Sequence, residues 1–311
     1  MGTSSSENNI ICTHEIEPND INKNIQIINY LYQENLEPQD CNKEEITKKC
    51  EIFIDRKKID FTPVYKFEKK GTYKVKIKFN ELIVNGKNMF MNCKTIKKID
   101  GNNFNAQKLK FADKMFSECS KLEEIKIDKW EVSNIESMSS MFEKCSSLKE
   151  FSAPNWNTKN VKIMDSIFEK CSSLKKIDIS NWNMENVTSV DSMFYYCTAL
   201  ERVDVSKWNT SNLQTTSYLF KYCNNLKELD LSKWNTHKME LYYQMFYKLN
   251  KICKINFNQD FRLKKELEEI YDEKEEYGEG EEGKETEIKQ KYSVIKNFID
   301  DYNNKNINNN S

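Results

Sequence analysis

Glycine, proline and histidine are scarce, at 7, 4 and 2 residues in a chain of 311. So little glycine and proline excludes collagen-like and Gly/Pro-rich low-complexity architectures. His14 and His237 sit in no motif that would pair a base with a nucleophile, so no catalytic constellation is read and a non-enzymatic protein without cofactors is expected. A field of one sign is missing too. Lys and Arg number 48 against 49 Asp and Glu, for a formal charge of −1, which gives a nucleic acid or an anionic membrane no general electrostatic reason to bind. No apolar run approaches the roughly 18 residues of a spanning helix. Met1 to Asn9 is small and polar where a secretory signal would carry an apolar core, so none is read there, and the ten cysteines are expected to be thiols of a reducing compartment.

What the chain has is a period. Phe90, Phe116, Phe142, Phe168, Phe194, Phe220 and Phe246 recur at a constant step of 26 residues, without insertion or deletion. All five tryptophans keep the same step from Trp130 to Trp234, with Phe104 in the equivalent place one unit earlier. Six cysteines keep it as well, from Cys93 to Cys223, and Leu249 takes the thiol's place in the last unit. A unit this short cannot bury its apolar face alone, so neighbouring units must stack and share a core.

Within one unit the apolar spacing changes character. Leu213, Leu219, Phe220 and Cys223, with Val187, Val190, Met193, Phe194 and Cys197 in the unit before, fall at offsets near three and seven, which predicts a short helix. Asn209, Thr210 and Asn212 are placed to cap its N-terminus. Leu226, Leu229 and Leu231 then shift to the alternation of a short strand. The expected unit is strand, aromatic turn, helix, turn, with the strands in one parallel sheet of seven rungs and Leu226, Leu229, Leu231 and Trp234 pointing inward.

The pattern written by Met193, Phe194, Cys197, Leu200, Val203, Asp204, Val205, Ser206, Trp208, Asn209, Thr210, Asn212 and Leu213 resembles the 26-residue leucine-rich-repeat-like units of BspA-like surface proteins. The resemblance implies an α/β repeat fold: a leucine-rich-repeat-like solenoid with a parallel sheet on one face, acting in protein recognition or adhesion without chemistry of its own. No signal peptide, wall anchor or transmembrane segment like those of secreted members is read in these residues, so a cytoplasmic, monomeric interaction scaffold is the expected function and a cell-surface adhesin the alternative.

The expected organisation is a flexible start over 1–9, a β-rich capping module over 10–84, the repeats over 85–260, an acidic helix, Gly hinge and amphipathic helix over 261–302, and a disordered tail over 303–311. The amphipathic helix, marked by Ile288, Tyr292, Ile295, Phe298, Ile299 and Tyr302, is read either as a cap on the last rung or as a partner-binding element. Gly101 stands where the first strand calls for an aliphatic residue, as terminal units often do.

Candidate sites are few. The cysteine column lacks the close ligand pairs of a metal site and is read as buried packing, with no metal expected. The outward positions of the strands would be where a protein partner is read: Asp178, Asp204 and Asp230 form a column, with Lys207, Lys233 and Arg202 beside it. Stacked carboxylates repel, so their recurrence points either to binding of a basic peptide or cation, or to a solvated face offset by the lysines. Met1, Gly2 and Ser6 fit the motif for N-myristoylation of Gly2, with Cys12 as a candidate for a second lipid, and membrane association is expected only through such lipidation.

Overall fold

A computed structural model describes residues 7–30, 42–250 and 252–257. They lie within one compact unit, Met1–Glu266. The Gly2 motif, the segment 261–302 and the tail 303–311 lie outside the described residues.

The N-terminal part is built on strand alternation. In β1 (Asn9–Ile16) the side chains of Ile10, Cys12, His14 and Ile16 are buried. After β2 (Ile25–Gln26) and a helix, α1 (Lys43–Lys49), come β3 (Cys50–Ile54), β4 (Lys57–Ile59), β5 (Val64–Tyr65) and β6 (Gly71–Phe79). Asp55 and Arg56 join β3 to antiparallel β4 with both residues left-handed, at φ 46° and 73°, as a tight two-residue hairpin requires. β1 lies between β6 and β7 (Ile96–Asp100), antiparallel to both, so the N-terminal sheet runs directly into the first repeat. The order across this sheet is β4-β3-β6-β1-β7-β8, where β8 (Glu124–Lys126) pairs parallel with β7.

The later repeats supply β9 (Glu150–Ser152), β10 (Lys176–Asp178), β11 (Glu228–Leu231) and β12 (Lys254–Phe257), which pair parallel as β9 with β10 and β11 with β12. The expected α/β leucine-rich-repeat solenoid is therefore not the fold observed. Among the described residues the strands are divided between one six-stranded and three two-stranded sheets, and α1, in the N-terminal part, is the one α-helix.

Backbone hydrogen bonding explains why the repeats hold no helix. From Thr216 to Tyr222 the N–H groups alternate between two kinds of acceptor. Those of Thr216, Tyr218, Phe220 and Tyr222 donate to carbonyls of Leu241, Tyr243, Met245 and Tyr247 in the next repeat, at 2.8 to 3.0 Å, whereas those of Leu219 and Lys221 close turns onto Thr216 and Tyr218. Tyr218 and Tyr222 are left-handed, at φ 60° and 63°, and so are their counterparts Ser140 and Lys144, at 56° and 59°. A helix would direct all these donors to its own preceding turn. Here each left-handed residue, at a cost of about 1 kcal/mol, turns alternate donors toward the neighbouring repeat instead. Asn209 and Asn212 do not cap a helix either: the Asn209 side chain accepts from the Ser211 N–H, and Asn212 Nδ2 donates to the Glu185 carbonyl one repeat back, at 2.7 Å.

Along this turn segment the backbone is polar, with donors pointing forward and acceptors backward. In the first repeat the backward-facing carbonyls of Asn85, Lys87, Met89 and Met91 have no repeat before them. Asn42 Nδ2 donates to Asn85 and Lys87, at 3.0 and 2.7 Å, while Asn29 donates from its backbone to Met89 and from Nδ2 to Met91. Two asparagines thus satisfy a row of acceptors that burial would otherwise make costly.

The core is a set of columns at the 26-residue step. Successive phenylalanine rings from Phe90 to Phe246 stack with centroids 5.5 to 6.2 Å apart and nearly parallel planes. Trp130, Trp156 and Trp182 stack in the same manner on the strand side, and their indole Nε1 groups donate to Gly101, Ile127 and Ala153 in the preceding repeat. Contacts such as Phe142 to Phe151, at 5.0 Å, join the turn side to the strand side across the core. The outer surfaces of the two sides consequently face away from each other.

Candidate functional site

On the strand side, the exposed positions of each rung form charged columns. One runs Lys97, Glu123, Lys149, Lys175, Glu201, Lys227, and its sign changes create ion pairs between rungs: Lys97 to Glu123 at 3.6 Å, Lys149 to Glu123 at 3.0 Å and Lys227 to Glu201 at 2.5 Å. The next column runs Lys98, Glu124, Glu150, Lys176, Arg202, Glu228 and pairs likewise, with Arg202 Nε 3.5 Å from Glu228. The hydrogen-bonding lysine in each case holds the carboxyls of Glu123, Glu124 and Glu201 below the usual range. Such exposed pairs contribute well under about 1 kcal/mol each, but they neutralise most of the face.

The aspartate column behaves differently. Asp178 accepts from Ser180, Asp204 from Ser206, and Asp230 from Ser232 and Asn256; none of the three makes an ion pair among the described residues. The Ser232 hydroxyl and N–H, together with Asn256, keep the Asp230 carboxyl below its ordinary value. Lys207 reaches across one rung to Asn181 at 3.3 Å, and Lys233 is exposed at the equivalent place one repeat later. The structure therefore brings Asp178, Asp204, Asp230, Lys207, Lys233 and Arg202 onto one exposed strip. An open groove of about 600 Å³ lies farther up the same face, between Lys98, Lys126, Glu150 and Asn155.

Cys12 is elsewhere. It is wholly buried in β1, and burial holds its thiol well above the ordinary value, so in the folded chain it is not presented to an acyl donor. The periodic thiols are buried hydrogen-bond donors. Cys119, Cys145, Cys171, Cys197 and Cys223 each donate to the carbonyl of the core phenylalanine 29 residues earlier, at 3.0 to 3.2 Å. Burial pushes Cys119 up to about 12, and the others rise as well.

A second exposed cluster, on the turn side, was not anticipated from the sequence. Tyr195, Tyr218, Tyr222 and Tyr247 surround the Lys221 ammonium, whose distances to the ring centroids run from 4.8 to 5.9 Å. Lys221 also donates to Gln244 Oε1. Burial and the nearby Lys248 charge hold Lys221 below the ordinary lysine value. The signal is present in the register: the two columns that follow the core phenylalanine carry Glu143, Lys144, Glu169 and Lys170 in the middle repeats and Tyr195, Tyr196, Tyr222 and Tyr247, with Lys221 and Lys248 among them, in the later ones.

With this geometry in hand, comparison with known families is informative. A family model described as a Mycoplasma protein of unknown function, DUF285, matches residues 84–202 and again 164–278, covering the repeats and well over half of the chain. The chain belongs to this family. Two overlapping matches are what a periodic sequence produces when it is longer than the model. The family description carries no function, and no curated protein matches the chain. Among the described residues no helix is long and apolar enough to cross a membrane.

Proposed function

We propose that these family repeats are a non-enzymatic scaffold for protein–protein interaction, with the strand side as the face that takes up a basic segment of a partner. The observation that carries this reading is the contrast between columns. Neighbouring columns of the face cancel their charge between rungs, whereas Asp178, Asp204 and Asp230 are oriented by serine and asparagine donors and make no ion pair among the described residues, with Lys233 adding only a longer-range attraction at Asp230. A basic extended segment lying along the strip would meet carboxylates one rung apart, with Arg202, Lys207 and Lys233 setting its register by repulsion.

The test is affinity. A partner captured by the full-length chain from its native cells is titrated against wild type and against a variant reversing Asp204, Asp230, Lys207 and Lys233. Strong loss in the variant supports the reading. An unchanged affinity sinks it.

The 26-residue pattern's resemblance to BspA-like proteins supports protein recognition and is equally compatible with a cell-surface adhesin. The nine described cysteines, all free and buried, favour a reducing compartment and hence a cytoplasmic scaffold, held at the inner face of a membrane if Gly2 is myristoylated. Intact mass and fractionation of the native protein separate these: a myristoyl mass on Gly2 supports the tethered form, and recovery from the outer surface supports the adhesin.

A further inference from the structure

The turn side carries chemistry that the strand side lacks. In the middle repeats, charges in the columns after the core phenylalanine are cancelled: Lys144 meets Glu118 at 3.2 Å and Glu143 at 2.8 Å, and Lys170 meets Glu169 at 2.8 Å. One repeat pair farther on, the lysine at the equivalent of Glu169 is Lys221, and no carboxylate among the described residues pairs with it. Its ammonium is instead half-buried among four tyrosine rings. Ring faces attract a cation, but less strongly than an ion of opposite sign at contact does. Lys248 adds like charge nearby.

Two exposed rings adjoin this centre: Tyr243, at 58% of full exposure and 5.5 Å from Tyr218, and Tyr196, at 42% and 4.9 Å from Tyr222. Rigid tyrosines beside a fixed cation are the composition that protein interfaces favour, since they supply contact area at low entropic cost. The rings and Gln244 hold the lysine in place before any ligand arrives, which lowers the ordering cost of binding.

We propose that this tyrosine–lysine surface is a second docking site, which binds an acidic segment of a partner protein whose carboxylates alternate with apolar side chains, one carboxylate pairing with Lys221. It takes a ligand of opposite charge from that of the aspartate strip, on the opposite side of the repeats. Loss of one site therefore leaves the other intact.

The experiment uses full-length protein and a fluorescein-labelled peptide in which glutamates alternate with leucine and phenylalanine, with the glutamine version of that peptide as its counterpart, read by fluorescence anisotropy. The expected result is binding of the acidic peptide that weakens with salt, is at least about tenfold weaker in Lys221→Glu, and is unaffected by Lys233→Glu on the strand side. Tyr243→Ser, at an exposed ring, gives a second variant that weakens binding in a chain with an unchanged melting curve, should Lys221→Glu disturb the fold. Equal binding of the glutamine peptide, no loss in either turn-side variant, or no peptide binding at all would overturn the proposal. So would self-association of the chain, or capture by phosphatidylserine vesicles, that depends on Lys221 in the absence of any peptide binding.

Discussion

The indole Nε1 of Trp130 donates to the carbonyl of Gly101, 29 residues earlier, at 2.8 Å. A Cβ on Gly101 would stand 2.9 Å from Ile127 Cγ2 and 3.2 Å from that same Nε1. The later tryptophans make the same bond to Ile127 and Ala153, which carry side chains, so the bond itself does not need glycine; at this rung the missing side chain leaves the space that Ile127 and the Trp130 ring occupy. What looks from sequence like an irregular first repeat is a close approach between two repeats.

Gly101→Ala should therefore destabilise the chain by about 2 kcal/mol, the usual cost of forcing a methyl into a packed core. Urea unfolding measures it. A change of a few tenths would mean that the rung can open to admit the methyl without disturbing Trp130.

Trp182 makes the equivalent contact in mid-array, donating to Ala153 at 3.0 Å and stacking on Trp156 at 5.9 Å while almost wholly buried. Trp182→Ala should cost about 3 to 5 kcal/mol. Because the ring bonds to and stacks on the preceding repeat, the loss should also broaden the transition, as repeats that couple through their interfaces begin to melt separately.

The period made these columns legible. Phenylalanine, tryptophan and cysteine recur in sequence at the step at which they stack in space. Helix against turn was not legible, because apolar residues at offsets of three and seven suit both. The residues that decide the matter, Ser140, Lys144, Tyr218 and Tyr222, are left-handed without being glycine, so no composition signal marks the bend. One continuous sheet was likewise expected where three-residue rungs make several small ones. The charged strip could be read, since outward positions of an alternating strand are fixed by parity. The same parity argues against Cys12 as a lipid site: it shares the inward face of β1 with Ile10, His14 and Ile16. The tyrosine cluster was open to reading from the register but needed the fold to show that Lys221 stands among the rings.

Asn42 is the sharpest test of the first repeat's polarity. Its Nδ2 serves two carbonyls, those of Asn85 and Lys87, from a position that is 1% exposed. Asn42→Leu leaves both acceptors covered and unpaired, and should cost about 2 kcal/mol or more. Hydrogen exchange should locate the damage: amides of the first repeat exchange faster, while those around Phe194 keep their protection. Uniform loss of protection would show that the repeats unfold as one unit.

His14 makes stability depend on pH. It is buried in β1 with Nδ1 2.9 Å from Thr95 Oγ1, no partner for Nε2, and Phe67 nearby, and burial lowers its pKa from 6.5 to about 3. The unfolded chain therefore takes up a proton between these values that the folded chain refuses. The neutral histidine's contribution is complete above about pH 6.5 and falls as pH drops toward 3, by about 1.4 kcal/mol per pH unit once below the unfolded value. Carboxylates titrate in the same window, so the informative quantity is the stability of wild type minus that of His14→Gln, measured by urea unfolding at pH 7, 5.5 and 4.5. That difference should shrink or change sign as the solution is acidified. A constant difference would mean that the imidazole gains its proton in the folded chain as readily as in the unfolded one, through an opening of the sheet around β1.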